Sequence, residues 1–121
     1  MKALSSSHEG RKYLLLSRSS ETSSEEMKAS RDNILPLFHD AGIERALFDY
    51  RKLNFQHFSP VEIDTMAKEF KADFPFCYRV ALLCQADALQ SYQALQSACG
   101  RYDIEVQLHS ELESAKTWLC A

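Results

Sequence analysis

Glycine is scarce in this chain, with three residues in 121. A backbone cradle for phosphate needs more, and the dinucleotide fingerprint G-x-G-x-x-G, the P-loop and the G-x-S-x-G elbow are all missing. No basic excess is present either: 14 Lys and Arg face 17 Asp and Glu, for a net charge of −3. A surface that tracks nucleic-acid phosphates needs a basic stripe, and a local pair such as Arg51-Lys52 is too small to supply one, so nucleic acid is excluded as the expected partner. No segment approaches 18 consecutive apolar residues, which speaks against a membrane span, and the opening MKALSSSHEGRK carries no apolar signal core. A cytoplasmic protein is the expectation.

The four cysteines, Cys77, Cys84, Cys99 and Cys120, form no C-x-x-C, and no histidine stands at zinc-finger spacing from them. They read as reduced thiols used as small hydrophobes, Cys84 within an apolar run and Cys99 at a helix end. His8, His39, His57 and His109 are scattered without an H-x-x-x-H pair, and His39, late in a helical run, suits a helix C-terminus. No metal or cofactor site is expected.

The chain does hold an ordinary globular composition, 45% apolar and 26% charged, and its length fits a single domain over residues 1–121. Helix starts are written plainly. Thr22 to Glu26 holds two overlapping S/T-x-x-E boxes, and Ser59-Pro60-Val61-Glu62 holds another, with proline at the first helical position. Asp87 to Gln90 and Ser110 to Glu113 repeat the pattern, while Gly42 and Gly100 stand where left-handed helix stops belong.

Four helices are therefore expected. The first covers about 23–41, turning Met27, Ile34, Leu37, Phe38 and Ala41 inward and bending at Pro36. The second buries Ile63, Met66, Ala67 and Phe70, the third Leu89, Tyr92, Leu95 and Cys99, and the fourth Leu112, Ala115, Trp118 and Leu119. Runs at 12–18, 45–50 and 79–84 are apolar on both alternating sides and predict interior strands. Residues 104–109 alternate strictly, with Ile104, Val106 and Leu108 inward and Glu105, Gln107 and His109 outward, as in a strand near an edge. The opening strand turns at Glu9-Gly10. The order β-β-α-β-α-β-α-β-α predicts an α/β fold with a mostly parallel five-stranded mixed sheet, the first strand antiparallel at one edge.

In such sheets ligands collect beyond the carboxyl ends of the strands. That rim holds residues 18–21, 52–59, 85–87 and 109–110. Tyr50, Phe55 and Phe58 are aromatics close to it, and several near one strand end can line an apolar pocket. Asp49 reads as a strand-end carboxylate bonded to neighbouring amides. A catalytic reading would require His57, Asp49 and Asp87 to converge on one cleft.

The strand ALFDYRKLNF leading to a serine-started helix, the strand RVALLC and the ending VQLHSELESAKTWL resemble the STAS superfamily, in particular its small SpoIIAA-like, STAS/SEC14-type bacterial members. The resemblance covers about residues 2–119 through hydrophobic patterns. Anti-sigma-factor antagonists of that superfamily carry D-x-x-x-x-x-F-x-D-S-S-G, whose second serine is phosphorylated. Asp49 and Phe55 fit, and Ser59 falls on that serine, whereas His57, Phe58 and Pro60 replace the aspartate, first serine and glycine. The resemblance implies a non-enzymatic regulatory or binding module for a protein partner or a small apolar ligand, and the rim geometry directs that contact to the loop 50–59 and the following helix, with Tyr50, Phe55, His57, Phe58 and Ser59 as candidate residues. It leaves open a phosphoswitch at Ser59 and a homodimer. The capping box gives Ser59 a sufficient structural role of its own.

Overall fold

The computed structural model describes residues 2–19, 32, 44–52, 59–73, 75 and 77–121. The expected first helix, with Pro36 and Gly42, lies outside them. The described strands are β1 (Lys2–His8), β2 (Arg11–Ser19), β3 (Arg45–Lys52), β4 (Arg79–Leu83) and β5 (Glu105–His109). The described α-helices number three: α1 (Pro60–Asp73), α2 (Gln93–Gly100) and α3 (Leu112–Leu119).

The strands form one sheet in chain order, β1-β2-β3-β4-β5. β1 pairs antiparallel with β2, and every later neighbour is parallel. This is the expected mixed α/β sheet. Its two-residue hairpin is closed by Glu9 (φ 51°) and Gly10 (φ 81°), both left-handed, as the right-handed twist of paired strands demands. Gly10 adopts that region freely, whereas Glu9 carries a side chain into it at a cost.

The pleat sorts alternate residues onto two faces. Leu14, Leu16, Ala46, Phe48, Val80, Leu82, Val106 and Leu108 meet α1 and α2 on one face. Tyr13, Leu15, Leu47, Ala81 and Leu83 meet α3 on the other. Parallel strands laid down in chain order by crossovers of one hand keep their connecting helices on one side. α3 follows β5 and is not a crossover between the paired strands, so it is free to cover the opposite face. Leu14, Leu47, Leu82 and Leu83 are wholly enclosed between these layers, each contributing about 1.5–3 kcal/mol of hydrophobic stabilisation.

α1 begins as its sequence predicts, but three expected helix boundaries are displaced. The start at Asp87 gives way to two short 3₁₀ turns (Ala86–Ala88 and Gln90–Tyr92) ahead of α2. Gln85 is extended there, and its backbone carbonyl, without help from any side-chain cap, accepts from Ala88. α3 starts after Glu111 rather than Ser110, again without a side-chain cap. Cys84 N–H donates to the His109 carbonyl at 2.9 Å, so sheet pairing holds the chain extended until that point.

Gly100 remains helical, and the left-handed stop falls on Asp103 (φ 62°). Ile104 N–H donates to the Cys99 carbonyl and Asp103 N–H to that of Gly100, the two bonds of a Schellman ending. Asp tolerates this conformation better than most residues. Leu89, Leu95, Tyr92 and Cys99 nonetheless lie in or against the expected core.

Replacing Glu9 by Asn, which creates an Asn-Gly hairpin, should stabilise the protein by about 1 kcal/mol. The check is a urea midpoint that rises at constant m-value.

Candidate functional site

β3 runs through the middle of the sheet, and its carboxyl end is different on its two faces. Phe48 and Tyr50 point one way, their rings stacked 5.7 Å apart with planes 19° from parallel. Asp49 and Arg51 point the other way. Arg51 Nε donates to Asp49 Oδ1 and Nη2 to Oδ2, each at 2.9 Å, and the Arg51 backbone N–H reaches Oδ1 at 3.2 Å. Burial pushes the Asp49 carboxyl up, but the hydrogen bonds from Arg51 together with the charges of Arg51 and Lys52 outweigh it and hold the group below the usual carboxylate range. Asp49 is thus the bonded strand-end carboxylate expected, with a guanidinium added to the amide. Gln85 Nε2 donates to the Arg51 carbonyl at 2.9 Å, tying the rim beyond β4 to β3.

The aromatic side of β3 opens on a cavity of about 120 Å³ between the sheet and the two crossover helices. Phe48 and Tyr50 form its β3 wall, and Met66, Ala67 and Phe70 descend from α1. Val80, Leu82 and Val106 floor it, while Leu95 and Cys99 close it from α2. Phe70 meets Phe48 edge to face, with centroids 5.3 Å apart at 85°. No charged side chain is among these residues. Burial pushes the Cys99 thiol up to about 11, so it remains protonated at neutral pH. Outside the cavity, Asp64 of α1 accepts from Arg101 Nη2 at 3.0 Å and from the Tyr102 hydroxyl at 2.9 Å, setting the spacing of α1 from the turn after α2.

Ser59 is exposed at the N-terminus of α1. Its Oγ accepts from Glu62 N–H at 3.2 Å, and Glu62 Oε1 accepts from Ser59 N–H at the same distance. This is the reciprocal capping box written in the sequence. Phe55, His57 and Phe58 lie outside the described residues. Of the site residues named from sequence, Tyr50 lines the cavity and Ser59 caps the helix that walls it. Met66, Ala67, Phe70, Leu95 and Cys99 were legible as core positions, but not as cavity walls. Phe48 was missed, although its i, i+2 spacing from Tyr50 on a strand was the available signal.

Elsewhere on the rim, His109 is only partly open. Its ring lies 5.9 Å from Trp118, and Arg79 sits over the same indole, 4.6 Å from its centroid. The outward side of β5 is therefore half covered by α3, where a wet face was expected. Burial pushes the His109 pKa down. Among the described residues no group of three His, Cys, Asp or Glu side chains could hold a metal ion, and no helix is long and apolar enough to cross a membrane. All four cysteines are buried free thiols, as expected. Cys77, the most enclosed, is pushed up to about 12 by desolvation.

With this geometry in view, the fold is SpoIIAA-like. The structure is similar to that of an uncharacterized DUF3478-family protein with a SpoIIAA-like fold from Shewanella loihica PV-4, at a TM-score of 0.60 and 19% identity over 98% of this chain and 93% of that one. It is also similar to part of the Pseudomonas putida nuclease MPE, at a TM-score of 0.52 and 10% identity, covering 92% of this chain and 61% of the nuclease. No protein-family model and no curated protein sequence matches the chain. The resemblance read from the residues is thus matched by the fold.

Ser59→Ala should cost about 1 kcal/mol, whereas Ser59→Asp, which also caps, should keep most of that stability; urea titrations of both measure the difference. His109 has a folded pKa below its unfolded value near 6.5, so the unfolded chain takes up the proton more readily. Stability should be full above that pH and fall as the pH drops below it. His109→Gln should flatten the slope of unfolding free energy between roughly pH 7 and 5.

Proposed function

We propose that this chain is a non-enzymatic STAS-like binding module whose ligand is a small hydrophobic molecule held between the end of β3 and α1. The observation that carries the reading is the cavity itself. Interiors are normally packed to the density of organic crystals. Here Phe48, Tyr50, Met66, Phe70 and Leu95 stand half-buried around open apolar space. A concave, mostly apolar site under the crossover helices, bordered by the carboxyl end of β3, is where a ligand gains from leaving water.

The polar groups nearby support binding over catalysis. Asp49 lies across the pleat from the cavity and is engaged by Arg51. The Cys99 thiol, within the cavity, is kept neutral. The likeness to a nuclease, at 10% identity, concerns overall shape, and its named activity finds no counterpart in the cavity's apolar walls.

A protein partner at the rim beside the start of α1 is the second reading. It is favoured by Val61, which is 75% exposed in the first turn of α1, beside Ser59. Such a contact would be lost in Val61→Asp, a change on the outer side of α1 that leaves the cavity intact.

Organic extracts of protein purified from cells should contain a small apolar compound when read by mass spectrometry, in a fixed ratio to polypeptide. Extracts of Ala67→Leu, whose longer side chain extends from a cavity wall, should lack it. An empty wild-type extract, together with no uptake of added apolar molecules, would overturn the ligand reading.

A further inference from the structure

The dimensions and walls of the cavity narrow the ligand class, resting on the ligand reading above. We infer that the site takes a neutral molecule built on one aromatic ring, of the size of benzene or toluene. Volume sets the first limit. The cavity is partly open and measures about 120 Å³, so what it can enclose is somewhat less than the roughly 150 Å³ of a closed apolar protein cavity that admits benzene. Drug-sized ligands occupy sites of about 300 Å³ or more, so a fused polycycle or a whole membrane lipid would leave much of its apolar surface outside this one.

Charge sets the second limit. The described lining includes no cationic or anionic side chain to pair with an ionised ligand. A carboxylate or ammonium entering it would lose hydration without recompense.

Shape and polarizability set the third. The edge-to-face pair of Phe48 and Phe70 and the stacked pair of Phe48 and Tyr50 already form an aromatic wall. An added ring can continue either geometry, which a saturated molecule of equal volume cannot. Met66 and Cys99 bring sulfur to the same walls, and sulfur favours the edges of rings. Together these contacts should favour a ring over its saturated counterpart by roughly two- to tenfold in affinity.

The test titrates the full chain, methyl-labelled for NMR, with benzene, toluene, cyclohexane and benzoate. Saturable shifts confined to methyls of residues such as Leu82, Leu95 and Val106 are expected with benzene and toluene, with at least twofold weaker binding of cyclohexane and no saturable effect of benzoate. Ala67→Leu should abolish the benzene shifts; should that variant unfold, Leu95→Phe supplies the same block from the α2 side. Cyclohexane binding as tightly as benzene would overturn the aromatic class while leaving the hydrophobic-ligand reading standing. Benzoate binding as tightly as toluene would overturn the requirement for neutrality. Failure of every probe to shift these methyls would overturn this inference, and only an empty cell-derived extract besides would remove the broader reading as well.

Discussion

The two-residue alternation of β3 is the constraint on which this molecule's other features rest. Lying third among five strands, β3 has neighbours on both sides, and each of its side chains is committed to one face by the pleat. Ala46, Phe48 and Tyr50 face the crossover helices, and Leu47, with Asp49 beyond it, faces the layer of α3. A slip of one residue would drive the carboxylate among the aromatic rings and expose the stacked pair. Because the register is locked by β2 and β4 together, the strand can end with an apolar wall on one side and an ion pair on the other.

The helices then decide how much of that wall is covered. α1 is launched by a satisfied capping box, so its first turn is held firmly at the rim. The Asp64 bonds to Arg101 and Tyr102 join its outer side to the turn following α2, as a strut outside the cavity would. Asp64 is exposed to solvent, and its hydrogen bonds to Arg101 and Tyr102 hold its pKa below the usual range. These contacts act more through geometry than through Coulomb energy, which water screens at such a surface. On the far edge of the sheet, Gln96 of α2 donates to the outward carbonyl of Val106 at 2.8 Å, occupying one of the groups through which another strand could pair.

The opposite face shows the same economy with polar groups kept at its margin. Arg79 lays its guanidinium over the Trp118 indole and donates to the Trp118 carbonyl at 2.8 Å, satisfying a group near the end of α3. The short helix is thereby fastened at its C-terminus, while Ala115 and Leu119 supply its buried side. Arg suits this place because its planar head can stack and donate at once. His109, pressed against the same indole, has its pKa lowered by burial, which disfavours the charged imidazolium.

Strand identities, the parallel order, the hairpin at Glu9-Gly10 and the start of α1 were legible in the residues, since each depends on interactions a few positions apart. Period-two apolar runs choose a pleated strand, and Ser59 and Glu62 meet across one helical turn whatever the remainder of the chain does. The beginnings near Asp87 and Ser110 and the stop at Gly100 were read one to five residues away from where they fall, because sheet pairing and the packing of Tyr102 outweigh caps worth about 1 kcal/mol. The same limit applies to the cavity. Met66, Phe70, Leu95 and Cys99 look like ordinary core positions in one dimension, since periodicity reports which face is buried and says nothing of how closely the opposite layer approaches. That spacing was decided only when helices and sheet met in three dimensions, and it is what leaves space between them.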